Sequence, residues 1–377
     1  MKAKLFLVLF VLQFLFFLKV EACTTFVLKD SSQIVFGRNF DFNVGSGFVV
    51  NNPKGISKYA LVSNEDNVMR WTSKFGSVTF NQFGREFPYE GMNEKGLVVA
   101  LMILSKTKYP EIDNRKATSP LQWIQYQLDV ASTVDEVIAS DSFLRISKEL
   151  PIGIHFLVCD ASGKAATIEF VEGKMIYHVD KQLPIPLLTN NTYDESISYL
   201  RQFDIMGGEK PVQWNNFYDI DWKQDVTLSV NQLFAVAAKK LNKPNGSLNL
   251  VGKAFDALQA VTVNDHTQWS VVFDISNKKI YFKNAKREET INLNFTDFDF
   301  ESNGKVEILD IQSATSVNTM SQLKLYTPEI NREYIFNAFK PLTDSGFFPV
   351  QIPDAVIEAY TQFPGTLTYS DYYPSSK

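Results

Sequence analysis

The residue with the most chemistry available to it is Cys23, which opens the stretch CTTFVLKDSSQIVFGRNFD at residues 23–41. A cysteine that begins a chain holds a thiol and a free α-amine on one residue, so the nucleophile brings its own general base. The amine titrates near ~7.7–8.0 and the thiol near ~8.5, both within tuning range of neutral pH. No histidine is needed for that arrangement. Cys23 becomes a first residue if the segment before it is removed, and that segment has the makeup of an export signal. Lys2 and Lys4 give a positive start, residues 5–18 an apolar centre, and Val20, Glu21 and Ala22 the exit, with the cut expected after Ala22.

Arg38 and Asp41 add one charge of each sign. Residues 24–28 alternate as a strand, Lys29, Asp30, Ser31 and Ser32 form a turn cluster, and residues 33–38 return as a second strand. The hairpin so predicted carries Arg38 and Asp41 back beside Cys23. A guanidinium near sulfur favours the thiolate, and a carboxylate near the α-amine holds and orients it. The same spacing also fits a plain ion pair at the exposed end of a hairpin, and spacing alone leaves both readings open.

Four motifs in order carry a resemblance. Cys23 with Thr24 and Thr25, FGRNFDF at 36–42, Asn93-Glu94-Lys95-Gly96-Leu97, and Leu188-Thr189-Asn190 are together similar to the choloylglycine hydrolase family of N-terminal nucleophile amidases, to which penicillin V acylases and bile salt hydrolases belong. The similarity runs from Cys23 to about residue 300 and includes TQWSVVFDISNKKIYF at 267–282. It implies an α+β fold, a four-layer αββα sandwich, and hydrolysis of linear amides by Cys23 with Arg38 and Asp41. It also implies that Asn190 is the oxyanion donor, worth about 3–4 kcal/mol to the transition state; read by itself, Asn190 is a turn asparagine. Asn190-Asn191-Thr192 is a glycosylation sequon as well, as are Asn245-Gly246-Ser247 and Asn294-Phe295-Thr296, and a glycan on Asn190 is incompatible with the oxyanion role.

Two departures from the family pattern bear on the chemistry. Where the family offers an arginine, in SVNQLFA at 229–235, this chain has Gln232 or Leu233, so Arg38 serves alone or Lys239 or Lys240 reaches in. In the strand after Asn93, bile salt hydrolases carry an asparagine and many penicillin acylases a tyrosine near Ile103. Met102 and Ile103 here leave that position apolar, which with Phe40 favours an aliphatic or aromatic acyl group over a bile acid.

Length and composition bound the rest. The 377 residues carry a net charge of −5, with 45% hydrophobic and 14% aromatic residues, enough for one large domain or two ordinary ones with a rich core. An acidic chain without basic runs argues against nucleic acid. After residue 22 there is no continuous apolar segment of about 18 residues, so no membrane span is expected. Neither a P-loop, a dinucleotide-binding glycine pattern nor metal-ligand spacing occurs, and the expectation is no metal and no cofactor. The domain reading is a signal at 1–22, an amidase domain at 23–300 and a C-terminal continuation or extension at 301–377 packed on the same domain. The localisation that follows is secreted or periplasmic, or a lysosome-like compartment in a eukaryote. Cys23 and Cys159 are the two cysteines; a disulfide between them would consume the nucleophile, and Cys159, in an apolar run after Ile154, reads as a core thiol.

Other elements announce themselves locally. Residues 67–87 alternate as part of a central sheet, and Gly96 is free to take positive φ in its turn. Ser119-Pro120-Leu121-Gln122 and Thr133-Val134-Asp135-Glu136 read as capped helix starts, with Leu121, Ile124 and Leu128 on the buried face. Strands flank the Asp160–Lys164 turn, and His155 and His178 within them read as satisfied structural histidines. Phe48, Val49 and Val50 read as core or as the edge of a pocket beside Asp41. Residues 195–228, with Arg201, Trp214, Phe217, Tyr218 and Trp222, read as a cover over the sheet or as subunit contacts of a homo-oligomer. Residues 318–340 and a stretch between Pro349 and Pro364 read as helical.

Two further functional readings remain open at this stage. The sequence Val20-Glu21-Ala22-Cys23 resembles a lipobox, which would make the chain a surface lipoprotein lipidated at Cys23. The third reading is a lipid-amide hydrolase of the ceramidase or N-acylethanolamine type, whose members usually carry an upstream segment removed by self-cleavage; here the signal directly precedes Cys23.

Overall fold

The computed structural model describes residues 23–63, 67–148, 152–212, 226–243, 249–263, 266–301, 305–347 and 353–369. The expected hairpin comes first: β1 (Thr24–Lys29) and β2 (Ile34–Asp41) pair antiparallel with Thr25 against Arg38. Asp30 closes its turn by accepting the Ser32 and Gln33 N–H groups at 2.8 and 2.9 Å, the local bond that aspartate favours in turns. There follow β3 (Phe48–Asn52), β4 (Ile56–Tyr59), β5 (Arg70–Thr72), β6 (Ser77–Asn81), β7 (Pro88–Asn93), β8 (Val98–Ile103) and β9 (Lys116–Thr118). Gly96, between β7 and β8, has φ +84°, as its turn requires.

Both predicted helix starts form. In α1 (Pro120–Val130), Ser119 accepts from the Gln122 N–H, and Gln122 Oε1 accepts the Ser119 hydroxyl at 3.2 Å and the Leu61 N–H at 2.6 Å in place of the Ser119 N–H of a full capping box. In α2 (Val134–Ala139) the Thr133 and Glu136 capping box is complete. Next come β10 (Leu144–Ile146), β11 (Ile154–Cys159), β12 (Ala165–Val171), β13 (Lys174–Val179) and β14 (Leu187–Leu188). Three helices follow, α3 (Tyr193–Leu200), α4 (Val226–Asn242) and α5 (Leu250–Gln259), then β15 (Thr267–Asp274), β16 (Lys279–Asn284) and β17 (Arg287–Asn294). The last elements are β18 (Glu307–Asp310), β19 (Lys324–Leu325), α6 (Pro328–Asp344), α7 (Asp354–Gln362) and β20 (Thr368–Tyr369).

These strands build two large sheets, one in the order β14-β1-β2-β15-β16-β17 and one in the order β13-β12-β11-β8-β7-β6-β3-β18-β19. The sheets face each other: Phe80 of β6 meets Phe273 and Phe282 of β15 and β16 edge-on, with ring centroids 6.0 and 5.5 Å apart. The outer faces are covered by helices, α1 on β7 and β8, and α5 on β2 and β15. Trp123 of α1 stacks on Phe156 of β11 at 4.4 Å. The layers are therefore helix, sheet, sheet, helix, the arrangement expected.

The chain after residue 300 enters the same core. β18 pairs with β3, Phe339 of α6 stacks on Phe83 at 4.5 Å, and Tyr360 of α7 packs on Phe87 at 4.3 Å. Phe48 and Val50 pack with Ile308 and Tyr334 in a small separate cluster and Val49 joins the main core, so these three are core and not the edge of a pocket beside Asp41. Residues 1–22, with Trp214, Phe217, Tyr218, Trp222 and Asn245, lie outside the described residues.

Candidate active site

Strand register assembles the site. Thr25 pairs with Leu188 on one side of β1, while Thr24 pairs with Asn39 on the other. Carried to the end of β1, these registers set Cys23 between Asn190 and Phe40. Residues directly opposite in an antiparallel pair share a face, so Cys23, Thr25, Arg38 and Phe40 all look into the space between the sheets. Cys23 is 2% exposed, and its Sγ–H donates to the Asp41 carbonyl oxygen at 3.5 Å.

Arg38 and Asp41 are both fully buried, which removes the reading of an ion pair at an exposed hairpin end. The ion-pair partner of Arg38 is Glu90 of β7, in the opposite sheet, and its Nη1 also donates to the Tyr89 carbonyl at 3.1 Å. The second Glu90 oxygen accepts the Trp269 Nε1–H at 2.7 Å, and the Trp269 ring stacks on Phe40 at 3.9 Å. The guanidinium is thus fixed by a carboxylate below and covers Phe40, with its carbon 5.3 Å from the ring centroid. Burial pulls its titration down; the Cys23 sulfur is the first of the groups that oppose this, followed by Tyr89 and Asp41. Arginine stays charged even so, and that charge favours the thiolate.

Asp41 titrates at about 7 in place of 3.8 because burial disfavours its charged form, against the Thr267 hydroxyl that donates to Oδ1 and the positive field of Arg38. Its Oδ2 has no hydrogen-bond partner among the described residues. Asn190 lies in the turn between β14 and α3, and both polar atoms of its amide are buried without a partner. A glycan on that nitrogen is incompatible with its buried position. Its neighbours, by contrast, are tied down: the Thr189 carbonyl accepts from His155 at 2.7 Å, and the Asn191 amide donates to Asn231 of α4 at 2.9 Å.

The other sequence candidates divide. Met102 pairs with His155, and Ala100 on the same strand pairs with Glu90, so Met102 looks into the space between the sheets. Ile103 has the opposite parity, the parity of Leu101, which pairs with Phe156 under α1; it belongs to the helix-covered face, and a substrate contact there is not what the register gives. Phe40 is buried at 2% between Trp269 and Tyr89. The Lys239 ammonium donates to the Val212 carbonyl and Lys240 pairs with Asp256 at 2.9 Å, so neither takes the place of the absent family arginine. From the segment that should carry it, Asn231 reaches toward the site through Asn191. Cys159 is buried and not in a disulfide, and burial pushes its thiol up.

Sequence reasoning missed Glu90, Thr267 and Trp269. Glu90 had a usable signal: an acid in PYEGMN, inside a strand with every residue buried, must find a cation. His155 and His178 are satisfied as expected, His155 at both ring nitrogens and His178 between Thr167 and Asp194.

Comparison with known proteins follows the same lines. Residues 23–308 match the profile of the linear amide C–N hydrolases, choloylglycine hydrolase family. A penicillin V acylase from Pectobacterium atrosepticum is 31% identical over 156 residues, a span of 37% of this chain and 41% of that protein. Among solved structures, a penicillin V acylase from Agrobacterium tumefaciens superposes with a TM-score of 0.65 at 25% identity, covering 81% of this chain and 98% of that one. A variant of conjugated bile acid hydrolase from Clostridium perfringens shares the fold, with a TM-score of 0.60 at 17% identity over 78% of this chain and all of that one (100%).

Proposed function

Because the chain belongs to the choloylglycine hydrolase family of linear amide C–N hydrolases, we propose that it is an exported amidase of the penicillin V acylase kind, cleaving N-acyl bonds through a thioester on Cys23. The observation that carries this reading is the set of unsatisfied polar atoms around one thiol. Asp41 Oδ2 and both amide atoms of Asn190 are buried without partners among the described residues, Asn190 opposite Cys23 in register and Asp41 one position past its other partner, Phe40. Buried polar groups are nearly always paired, so such a cluster fits a place kept for a ligand.

Asp41 Oδ2 and the Asn190 N–H each have a use in amide hydrolysis. Removal of residues 1–22 converts the Cys23 amide nitrogen to an amine, and the ammonium it forms is the cation that Asp41 Oδ2 lacks. The amine takes the thiol proton as sulfur attacks the acyl carbon, then gives that proton to the leaving amine. Negative charge on the carbonyl oxygen meets the Asn190 N–H, which is already desolvated and needs no reorganisation. Water, deprotonated by the same α-amine, attacks the thioester, and the acid leaves as Cys23 is regenerated. Arg38, held by Glu90, stabilises the negative charge on sulfur as the thiol loses its proton and again as the thiolate leaves the hydrolysed thioester. Met102 and the aromatic group of Phe40, Tyr89 and Trp269 favour an apolar acyl chain. Lipidation of Cys23 fits poorly with a sulfur 2% exposed among these groups.

The test is a panel of acyl amides with release followed by mass spectrometry: penicillin V, conjugated bile salts, N-acyl amino acids and N-acyl homoserine lactones. Release of an aromatic or aliphatic acid is expected, and its loss in folded Cys23→Ala. A folded Cys23→Ala protein that cleaves at the parental rate removes this function.

A further inference from the structure

His155 and Glu169 form a buried pair beside the site, on β11 and β12 of the facing sheet and on the face that looks between the sheets, both essentially without solvent contact. The His155 ring is bonded at each nitrogen: Nε2 lies 2.7 Å from the Thr189 carbonyl oxygen and Nδ1 lies 3.0 Å from Glu169 Oε1. A carbonyl oxygen only accepts, so Nε2 carries a hydrogen. The Glu169 carboxyl also accepts the Tyr193 N–H, at 3.0 and 3.3 Å. Two bare acceptors would repel at 3.0 Å, so one hydrogen lies between Nδ1 and Oε1, and the buried pair is neutral overall.

The two ends of this pair grip the chain on either side of one residue. Thr189 precedes Asn190, and Tyr193 is the first residue of α3, three positions after it. Asn191 is tied in turn to Asn231. Within the turn, Asn190 alone presents an amide with no partner. We propose that the His155–Glu169 pair is a positioning device for Asn190, a buried hydrogen-bonded pair that clamps the peptide groups before and after it so that the amide is aimed at the reacting carbonyl in advance. The inference rests on Asn190 being the oxyanion donor of the proposed amidase. An oxyanion donor contributes only if it is fixed before charge develops, and a misplacement of about 1 Å costs ~10²-fold in rate. Without the His155 ring the Thr189 carbonyl is buried unpaired, and the turn moves to find it a partner.

The experiment compares acyl-amide kinetics of the chain beginning at Cys23 with those of Asn190→Ala, His155→Phe, His155→Gln and the Asn190→Ala/His155→Phe double variant. Asn190→Ala is expected to lower kcat by ~10²–10³-fold, as loss of one oxyanion donor does. His155→Phe is expected to lower kcat by ~10²-fold with KM unchanged, because it displaces the donor and not the substrate contacts. The glutamine variant, whose Nε2–H reaches the Thr189 carbonyl while protonated Glu169 donates to its oxygen, recovers most of that loss. In the double variant the rate is no lower than in Asn190→Ala alone. Multiplied losses in the double variant show that His155 supports the fold at large and overturn the proposal. Slow Asn190→Ala with parental His155→Phe overturns the proposal and leaves the amidase reading intact; parental kcat in Asn190→Ala removes the oxyanion reading and this inference with it. Should His155→Phe not fold, the glutamine variant and the ring ¹⁵N resonances of the parent decide. A hydrogen on Nε2 at neutral pH, with near-parental kcat in His155→Gln, supports the clamp; a bare Nε2 overturns it.

Discussion

A chain that keeps Ala22 ahead of Cys23 has an amide nitrogen at residue 23, and Asp41 then stands buried with no cation at its Oδ2. Its carboxyl titrates at about 7 in place of 3.8, chiefly through burial. The sign follows directly. Between pH 4 and 7 the folded state holds a proton that the unfolded state has released, so stability contributed by this group is full below the unfolded value and is lost as pH rises through the folded one. At ~1.36 kcal/mol for each pH unit of displacement, the loss comes to about 4 kcal/mol. Asp41→Asn removes it. Urea unfolding of the Ala22-retaining protein, followed by tryptophan fluorescence from pH 4 to 8, gives both stability curves. The parent is expected to fall relative to Asp41→Asn by about 4 kcal/mol across that range. In the chain beginning at Cys23 the ammonium offsets the carboxylate, and the gap between parent and variant shrinks. Parallel curves for the Ala22-retaining pair refute the reasoning, since they mean Asp41 is solvated or already paired.

Two further outcomes concern the supports of the site. Glu90→Ala leaves Arg38 buried without its counter-ion and Trp269 without its acceptor, and is expected to cost about 3–5 kcal/mol in urea unfolding, with kcat falling as the guanidinium moves. Phe339→Ala opens a cavity against Phe83 and is expected to cost about 3–5 kcal/mol by the same assay; a loss below ~1 kcal/mol means that α6 contributes little to the core.

What could be read in the sequence was what is local. The Cys23 hairpin depends on a turn cluster and a period of two, and both are visible within 20 residues or so of chain. The same holds for the caps at Ser119 and Thr133 and for positive φ at Gly96. Asn190 entered only through the family resemblance, because nothing local separates an oxyanion asparagine from a turn asparagine; its mark is the missing partner, which only three dimensions reveal. The pairings that Glu90, Trp269 and Thr267 make were invisible for a related reason. Arg38 finds Glu90 across 52 positions, Trp269 finds Glu90 across 179 and Thr267 finds Asp41 across 226. A period of two tells which residues share a face, but not which strand faces which. Met102 and Ile103 could not be told apart until the register with His155 and Phe156 fixed the direction of each. Phe48 and Val50 could be read as core or as a pocket edge because the partners that bury them, Ile308 and Tyr334, come some 260–290 positions later.

The central claim is that Cys23 works with its own α-amine, and one comparison tests it most directly. Turnover of the best acyl amide is measured for the chain beginning at Cys23 and for the same chain carrying one additional, non-removable residue, each N-terminus verified by intact mass and each fold verified by circular dichroism. An amide nitrogen cannot take a proton near neutral pH, so the trimmed protein is expected to turn over and the extended one to fold but remain inactive. Equal turnover in the two contradicts the claim and places the base on another residue.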